Sequence, residues 1–219
     1  MVKLSTVERR SSVDAVVDQL RNNIIHGHIA PGERITEMEL AGGLGIGRST
    51  VRTALLELEK DELVVRKPYS AWAVSDITEI KVREVYSLRG ALEELAISLV
   101  VGKLDEDGKS KLDAAFEALA KAQRGASDRT EADLNFHRTI VQLSGHSKLI
   151  KVYEALLLQV EWIYRWSEKH KPSSIELVEW HRPIYDGLLS GDATEASQAT
   201  RKNYASATSA DLGSLAHTQ

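Results

Sequence analysis

Apolar residues in the first quarter of the chain recur with the spacing of amphipathic helices. Valines, a leucine and an isoleucine at this spacing predict a helix over 12–26. The helix ends at a turn over 27–32 that contains glycine and proline. The following Thr36-Glu37-Met38-Glu39 is a capping box: the Thr36 hydroxyl accepts from the Glu39 amide, and the Glu39 carboxylate reaches back. A short second helix is therefore predicted over about 37–44.

A third helix is predicted after a turn that contains glycine. Gly45 and Gly47 interrupt the second helix, and the third helix begins near Arg48. Its apolar face carries Val51, Leu55 and Leu58 at helical spacing. Two short helices joined by such a turn are typical of a helix-turn-helix.

Two short β-prone runs follow the third helix. Residues 63–65 and 72–74 flank Arg66-Lys67-Pro68-Tyr69-Ser70, which predicts a small hairpin in the position of a wing. Residues 75–78 have the composition of a linker. We therefore predict an N-terminal winged helix-turn-helix over 1–75, with three helices and a small β-hairpin.

The rest of the pattern is helical. From 79 to about 212 the breaks between apolar stripes predict an all-α bundle of six or seven helices, and a mainly α fold class for the chain. The small, polar tail from Ser206 onward is expected to be frayed. The first helix of the bundle carries one long apolar stripe: Val82, Val85, Leu88, Leu92, Leu95 and Leu99.

Composition narrows the classes of function. The 219 residues have room for two small domains, and the absence of cysteine excludes disulfides, thiolate nucleophiles and cysteine-based zinc sites. The apolar runs are far shorter than the roughly 20 residues that span a bilayer, and the N-terminus lacks the apolar block of a signal peptide. We therefore expect a cytoplasmic location and no membrane partner.

Basic residues of the first domain stand in two segments without acidic residues. The net charge of −4 argues against indiscriminate binding of polyanions. However, Arg48 and Arg52 lie in one acid-free segment, and Arg66 and Lys67 lie in the next. Such segments form either a surface that faces phosphates or an ordinary solvated basic face.

Three segments of the first domain carry a family signature. Residues 27–35, 40–41 and 45–55, with the last reading G-I-G-R-S-T-V-R-T-A-L, closely resemble the GntR family of bacterial transcription regulators. The all-helical remainder resembles the FadR-type subgroup, whose C-terminal effector-binding domain is called FCD. The resemblance implies a DNA-binding regulator that responds to a small organic acid.

The resemblance also implies which residues bind DNA. The third helix would enter the major groove by its N-terminal end, where an arginine binds guanine O6 and N7 or clamps a phosphate. The alternative is that Arg52 does not contact DNA and only forms an ion pair with Glu57 or Glu59. Met38 replaces an arginine that is common in relatives, so one phosphate contact is expected to differ. Ala71 replaces the usual glycine of the wing tip, so the minor-groove contact of the wing is expected to differ as well. The implied DNA-binding residues are Arg34, Arg48, Ser49, Thr50, Arg52, Arg66 and Lys67.

A metal site is expected in the helical domain. Asp133 and His137 lie four residues apart on one helix face, and His181 lies on the apolar stripe of a later helix. When a carboxylate and two imidazoles converge inside a bundle, a divalent cation offsets the cost of burying these polar groups. Taken singly, each histidine is as well explained as a core or surface residue. Many FCD domains have these three ligands and a further histidine, at the place where this chain has the weaker ligand Asn203. The resemblance therefore implies a zinc or nickel site.

Arg89 is the expected anchor for the effector carboxylate. It lies near the long apolar stripe, and family members tend to have arginine there. The alternative is a salt bridge to Glu93, four residues further on. Weaker candidates for the same pocket are Gln142, Tyr164 and Arg165.

Together these observations predict a repressor whose operator affinity is controlled by an organic acid held at a metal. One recognition helix reads too few base pairs for specificity, so we expect a homodimer on pseudo-palindromic, double-stranded operator DNA. The alternatives are an effector-sensing regulator without metal, a helical metalloenzyme, and a partner-binding bundle whose head does not bind DNA. We expect no enzyme, because facial-triad iron sites usually need a β-barrel and the sequence lacks the His-Asp dipeptide of helical phosphohydrolases.

Overall fold

The computed structural model describes residues 12–68, 71–123, 128–170 and 176–216. By its internal contacts the chain divides into two compact units, Met1–Asp76 and Ile77–Gln219. Among the described residues, no helix is both long enough and apolar enough to cross a membrane.

The first unit combines helices with a small antiparallel sheet. Helix α1 packs on α3, and the leucines and valine of the α3 apolar face are completely buried. The winged helix-turn-helix predicted from the sequence is confirmed. Its described elements are α1 (Ser12–Ile25), β1 (Arg34–Ile35), α2 (Glu37–Leu44), α3 (Arg48–Lys60), β2 (Val64–Lys67) and β3 (Ala71–Val74).

The ends of α2 have the local chemistry that the sequence predicts. The Glu39 amide donates to Thr36 Oγ1 at 3.2 Å, and the Thr36 hydroxyl donates to Glu39 Oε2 at 2.6 Å. This cap fixes the start of α2 at Glu37. Gly45 ends the helix in the left-handed region, at a φ of 65°, where a side chain would be strained.

The sheet contains one strand more than the predicted hairpin. β3 is the central strand, because β2 pairs with one edge of it and β1 with the other. In the second pairing Ile35 lies opposite Trp72, and Arg34 lies opposite Ala73. A strand of two residues has no alternating pattern to detect, so the sequence could not predict β1.

The second unit is all-helical in its described residues. Six helices are present, within the predicted range of six or seven. They are α4 (Glu79–Val100), α5 (Glu106–Gln123), α6 (Arg129–Leu143), α7 (Ser147–His170), α8 (Leu177–Ser190) and α9 (Ala193–Ala216). Helix α4 packs against α6, α7 and α9, and α8 packs against α5 and α9.

The apolar stripe of α4 is buried at Val82 and Val85 but not along its whole length. Leu88 and Leu95 are 46% and 45% exposed, whereas Arg89 and Glu93 are buried. Arg89 and Glu93 pair with each other, which offsets the cost of burying their charges. An outward stripe that includes Leu88, Ala91 and Leu95 is left on α4.

The prediction of a frayed tail from Ser206 is also wrong. Helix α9 continues to Ala216, and both Asp211 and Ser214 are buried. Asp211 Oδ2 accepts from the Tyr86 hydroxyl at 2.5 Å, and the Ser214 and Ser167 hydroxyls lie 2.9 Å apart. Polar pairs therefore hold this part of α9, and they leave no apolar periodicity in the sequence.

Small residues bring α8 and α9 close together. A Cβ at Gly187 would lie 2.7 Å from the backbone nitrogen of Ala196. Helix α8, which carries His181, is thereby packed directly on the backbone of α9, which carries Asn203.

Candidate functional site

The N-terminal half of α3 presents polar side chains to solvent. The side chains of Arg48 and Arg52 are 65% and 56% exposed; Ser49 is exposed and Thr50 is half-buried. The opposite face of the helix is buried: Val51, Ala54, Leu55 and Leu58. This separation leaves the first turns of α3 free to enter a major groove.

A buried carboxylate from α2 holds the two arginines of α3. Arg52 donates through Nε to Glu37 Oε1 and through Nη2 to Glu37 Oε2, both at 2.8 Å. Arg48 Nη2 lies 3.7 Å from the same carboxylate. The hydrogen bonds from Arg52 lower the pKa of Glu37 against the effect of burial, and the neighbouring Trp72 side chain lowers it further.

The partner of Arg52 differs from the alternatives drawn from the sequence. Glu57 instead accepts from Lys60 at 2.8 Å, one turn further along α3. Glu37 was missed because its role depends on the packing of α2 against α3. Its only local signal is a carboxylate at the first position of the helix before the recognition helix.

Basic residues of the wing are exposed to solvent. Arg66 and Lys67 are exposed on β2, and the Arg66 guanidinium lies over the Trp72 ring, 5.0 Å from its centroid. Arg34, on β1, borders a shallow groove together with Lys67 and Pro68. The structure thus brings Arg34 and Lys67 together, and residues 69–70 lie outside the described residues.

In the second unit, α6 and α8 bring three predicted metal ligands together. The potential ligand atoms of Asp133, His137 and His181 all lie within 4.8 Å of one another, and all three residues are buried. His181 Nε2 is 3.1 Å from His137 Nε2 and 3.2 Å from Asp133 Oδ2. Two imidazoles and one carboxylate are a ligand set that zinc accepts in proteins.

Hydrogen bonds fix the proton on each imidazole. His181 Nδ1 lies 2.7 Å from the Leu177 carbonyl oxygen, and His137 Nδ1 lies 2.8 Å from Glu93 Oε2. Since the carbonyl and the ionised carboxylate can only accept, both Nδ1 atoms donate. With both Nδ1 protons used in this way, the close contact between the two Nε2 atoms, 3.1 Å apart, requires either a proton on one of them or a cation bound to both.

Glu93 supports the histidine pair from α4. Its Oε1 accepts from the Tyr153 hydroxyl at 2.6 Å and from Arg89 Nε at 2.8 Å, while its Oε2 accepts from His137. A carboxylate on the second nitrogen of a ligating histidine is a common support in metal sites. The sequence suggested Glu93 only as a salt-bridge partner of Arg89, and Tyr153 was missed.

Arg89 has a spare donor inside the bundle. The salt bridge to Glu93 uses its Nε, whereas Nη2 is buried without a hydrogen bond among the described residues. This nitrogen lies 3.6 Å from Asp133 Oδ1. Arg89 therefore combines the salt bridge with an unused N–H group beside the cluster of three ligands.

Burial and charge act in opposite directions on the acids of this cluster. Burial raises the pKa of Glu93, but His137, Arg89 and Tyr153 together lower it to about 2. Burial also raises the pKa of Asp133, but the hydrogen bond from His181 and the neighbouring positive charges have the larger effect, so the pKa is lowered overall. Burial lowers the pKa of His137 despite the charge of Glu93. The acids are therefore ionised beside a neutral imidazole, which suits a cation.

Two further predicted residues are at least partly buried. Burial raises the pKa of Tyr164, and the nearby Asp133 carboxylate adds to this effect. Asn203 is buried on α9, and its Nδ2 has no hydrogen-bond partner among the described residues.

The other two predicted effector-binding residues are engaged nearer the surface. Gln142 is exposed and donates to Glu154 at 3.5 Å. Arg165 donates to Asp128 and to Glu161, both at 2.8 Å, beside an open groove. These bonds occupy both side chains with surface acids, and the structure does not bring them into the buried cluster.

The sequence matches two families of known domains. Residues 12–74 match the family described as bacterial regulatory proteins, gntR family, and residues 84–206 match the FCD domain. The first match covers the helix-turn-helix and the wing, and the second contains Arg89, Glu93 and the three clustered ligands.

Individual relatives agree with these matches along most of the chain. The "Uncharacterized HTH-type transcriptional regulator YdhC" of Bacillus subtilis is 30% identical, over 83% of this chain and 82% of its own length. The "Probable D-xylose utilization operon transcriptional repressor" of Paenarthrobacter nicotinovorans is 27% identical, over 90% and 88%. The solved structure of E. coli McbR/YncC superposes with a TM-score of 0.75 at 21% identity, over 94% of this chain and all of that one.

Proposed function

The chain belongs to the GntR family of transcription regulators and carries an FCD domain, and we propose that it is a repressor controlled by a metal-bound carboxylate effector. It is thus a DNA-binding regulator rather than an enzyme, as the sequence predicted. The name of one relative supports repression, since it reads "Probable D-xylose utilization operon transcriptional repressor". Three parts of the proposal rest on this chain's own residues: the DNA-reading face, the dimer, and the effector site.

Exposed arginines on a rigid helix support the assignment of the DNA-reading face. Arg48, Ser49 and Arg52 project from a turn of α3 whose other side is fully buried. Arginine on such a helix binds guanine O6 and N7 in the major groove. The exposed Arg66 and Lys67 of β2 suit contacts to the phosphate backbone, which carry little sequence information.

Binding to duplexes selected from a random library tests this assignment. Arg48→Ala and Arg52→Ala should each weaken binding to the selected duplex roughly tenfold to a hundredfold, measured by fluorescence anisotropy. Lys67→Ala should weaken selected and scrambled duplexes alike, because a phosphate contact is independent of sequence. Arg83→Ala, which removes an exposed arginine of α4, is the control. Wild-type affinity in both α3 variants would contradict the assignment.

The outward stripe of α4 supports a homodimer. Leu88 and Leu95 are exposed on either side of Ala91, so the stripe is nearly symmetric about its small central residue. Two antiparallel copies of α4 would place each leucine against the other helix, and the alanine would allow close approach. Such a two-fold contact uses the same patch on both subunits and suits a palindromic operator.

The leucines of this stripe provide the test of the dimer. Leu88→Glu and Leu95→Glu should shift the protein from dimer to monomer in light scattering, because each places a charge in the contact. Leu189→Glu, at a leucine of α8 with similar exposure, should leave the dimer intact. A monomeric wild type at micromolar concentration, or a dimer that survives both α4 changes, would contradict the proposal.

The observation that supports a metal is the pair of facing imidazoles. Their Nε2 atoms lie 3.1 Å apart, both Nδ1 protons are used elsewhere, and Asp133 lies beside them. The residues present therefore fit a divalent ion. Asp133, His137 and His181 would hold it, and Asn203 remains the proposed further ligand. When bound, the ion supplies an electrophilic centre for an oxygen ligand.

The effector proposal follows from the unused donor of Arg89. Arg89 Nη2 is buried without a hydrogen bond and lies beside Asp133, so a carboxylate oxygen would satisfy it. A small organic acid that bound both the ion and this nitrogen would link α4 with α6 and α8. Binding there would favour one arrangement of the bundle over another.

A thermal-shift series on the full chain tests the effector site. Zinc or nickel alone should raise the melting temperature, and small mono- and dicarboxylates should raise it further only in the presence of the metal. His181→Ala should abolish both effects. If carboxylates stabilise the protein equally well without metal, and equally well in His181→Ala, the result would favour an effector sensor that binds no metal.

A further inference from the structure

We propose that Glu37 is a positioning residue that presents Arg52 for guanine recognition and limits its attraction to phosphate. This inference rests on the proposed DNA-reading role of α3. It assigns a specificity function to a carboxylate that itself need not touch DNA.

The geometry of the guanidinium group carries the first step. A guanidinium has two edges that can each donate a pair of parallel hydrogen bonds. Arg52 uses the edge formed by Nε and Nη2 on Glu37, at 2.8 Å for both bonds. The edge formed by Nη1 and the second Nη2 proton makes no hydrogen bond with the described residues, and it matches the acceptor pair O6 and N7 of guanine.

The acceptor for Arg52 is itself held firmly. Glu37 is buried and begins α2 directly after the Thr36 cap, and the Trp72 side chain of β3 lies close enough to its carboxylate to lower its pKa. Its carboxylate therefore joins the wing strand to the recognition helix. A flexible arginine held on a fixed acceptor loses less conformational freedom when it binds a base.

Charge carries the second step. Glu37 cancels one positive charge at the tip of Arg52 and lies 3.7 Å from Arg48 Nη2. Affinity for any duplex depends on the number of phosphates that cations neutralise. The carboxylate therefore weakens sequence-independent binding, while the free edge of Arg52 keeps its hydrogen bonds to guanine.

Glu37→Gln separates positioning from general structural support. Glutamine has nearly the same shape but loses one acceptor and the charge. The ratio of affinities for a selected and a scrambled duplex should fall about tenfold, while affinity for the scrambled duplex stays equal or rises. Glu57→Gln, which removes a carboxylate that pairs with Lys60 on the same helix, should leave the ratio unchanged. An equal loss on both duplexes would indicate structural support only and overturn the inference.

A double-mutant cycle tests whether Glu37 acts through Arg52. In an Arg52→Ala background, Glu37→Gln should cause no further loss of discrimination. If Arg52→Ala itself leaves discrimination intact, the assigned role of Arg52 fails. If Arg52→Ala lowers discrimination and Glu37→Gln does not, only the positioning role fails.

Trp72→Phe provides a second route should Glu37→Gln fold poorly. It removes the indole N–H beside Glu37 and keeps an aromatic ring in the core. Discrimination should fall in the same direction, about two- to threefold, because Glu37 keeps its bonds to Arg52 but loses one restraint. Unchanged discrimination in Trp72→Phe, together with a cooperative melt, would overturn the link between the wing and the recognition helix.

Discussion

Asp211→Asn should stabilise the protein at pH 8 and lose that advantage near pH 4. Burial raises the pKa of Asp211 to about 6 from an ordinary value of 3.8, although hydrogen bonds from Ser167 and Tyr86 lower it. Because the folded-state pKa is the higher one, the neutral carboxyl favours folding below pH 3.8. That contribution is lost as the pH rises through 6.

The size of the effect follows from the shift in pKa. A shift of about two units corresponds to roughly 3 kcal/mol between the two protonation states. Asparagine keeps the acceptor for the Tyr86 hydroxyl but has no charge to bury. The difference in free energy of unfolding between variant and wild type should therefore change by up to about 3 kcal/mol from pH 4 to pH 8.

Urea denaturation of both full-length proteins at a series of pH values measures this difference. All other titrating groups are shared, so their contributions cancel in the comparison. The curve of the difference against pH should rise between pH 4 and 7 and then level off. If the difference in free energy of unfolding stays constant from pH 4 to pH 8, the Asp211 carboxyl does not have a raised pKa. The described burial of Asp211 on α9 would then be refuted.

Two further predictions address packing and the ligand set. Gly187→Ala should destabilise the protein by about 1–3 kcal/mol, because the added Cβ would clash with the backbone at Ala196. Gly42→Ala is the control: the space around Gly42 is open, so the change should stabilise α2 by up to about 1 kcal/mol. Equal effects in urea denaturation would contradict the tight α8–α9 contact. Asn203→His should slow metal loss to a chelator, since imidazole is a better ligand than an amide for zinc or nickel; faster loss would place Asn203 outside the site.

The helix-turn-helix could be predicted because its signals are local. The Thr36 cap, the turn at Gly45 and the apolar face of α3 each depend on residues only a few positions apart. The Asp133–His137 pair was recognisable for the same reason, since a spacing of four places both on one helix face.

The parts that escaped prediction depend on contacts between distant segments. The buried face of α4 includes Arg89 and Glu93, which are stable there because Tyr153 and His137 supply partners from other helices. Apolar periodicity instead selected the exposed leucines. The end of α9 and the role of Glu37 were missed for the same reason, because a buried polar pair leaves no signal in the spacing of apolar residues.

The metal content of the purified chain tests the central claim about the effector site most directly. Protein purified without chelator, loaded with zinc or nickel and dialysed, should hold about one divalent ion per chain by mass spectrometry. His181→Ala should hold almost none, since it removes one of the two facing Nε2 atoms. No retained ion in the wild type, or equal retention in the variant, would contradict the assignment.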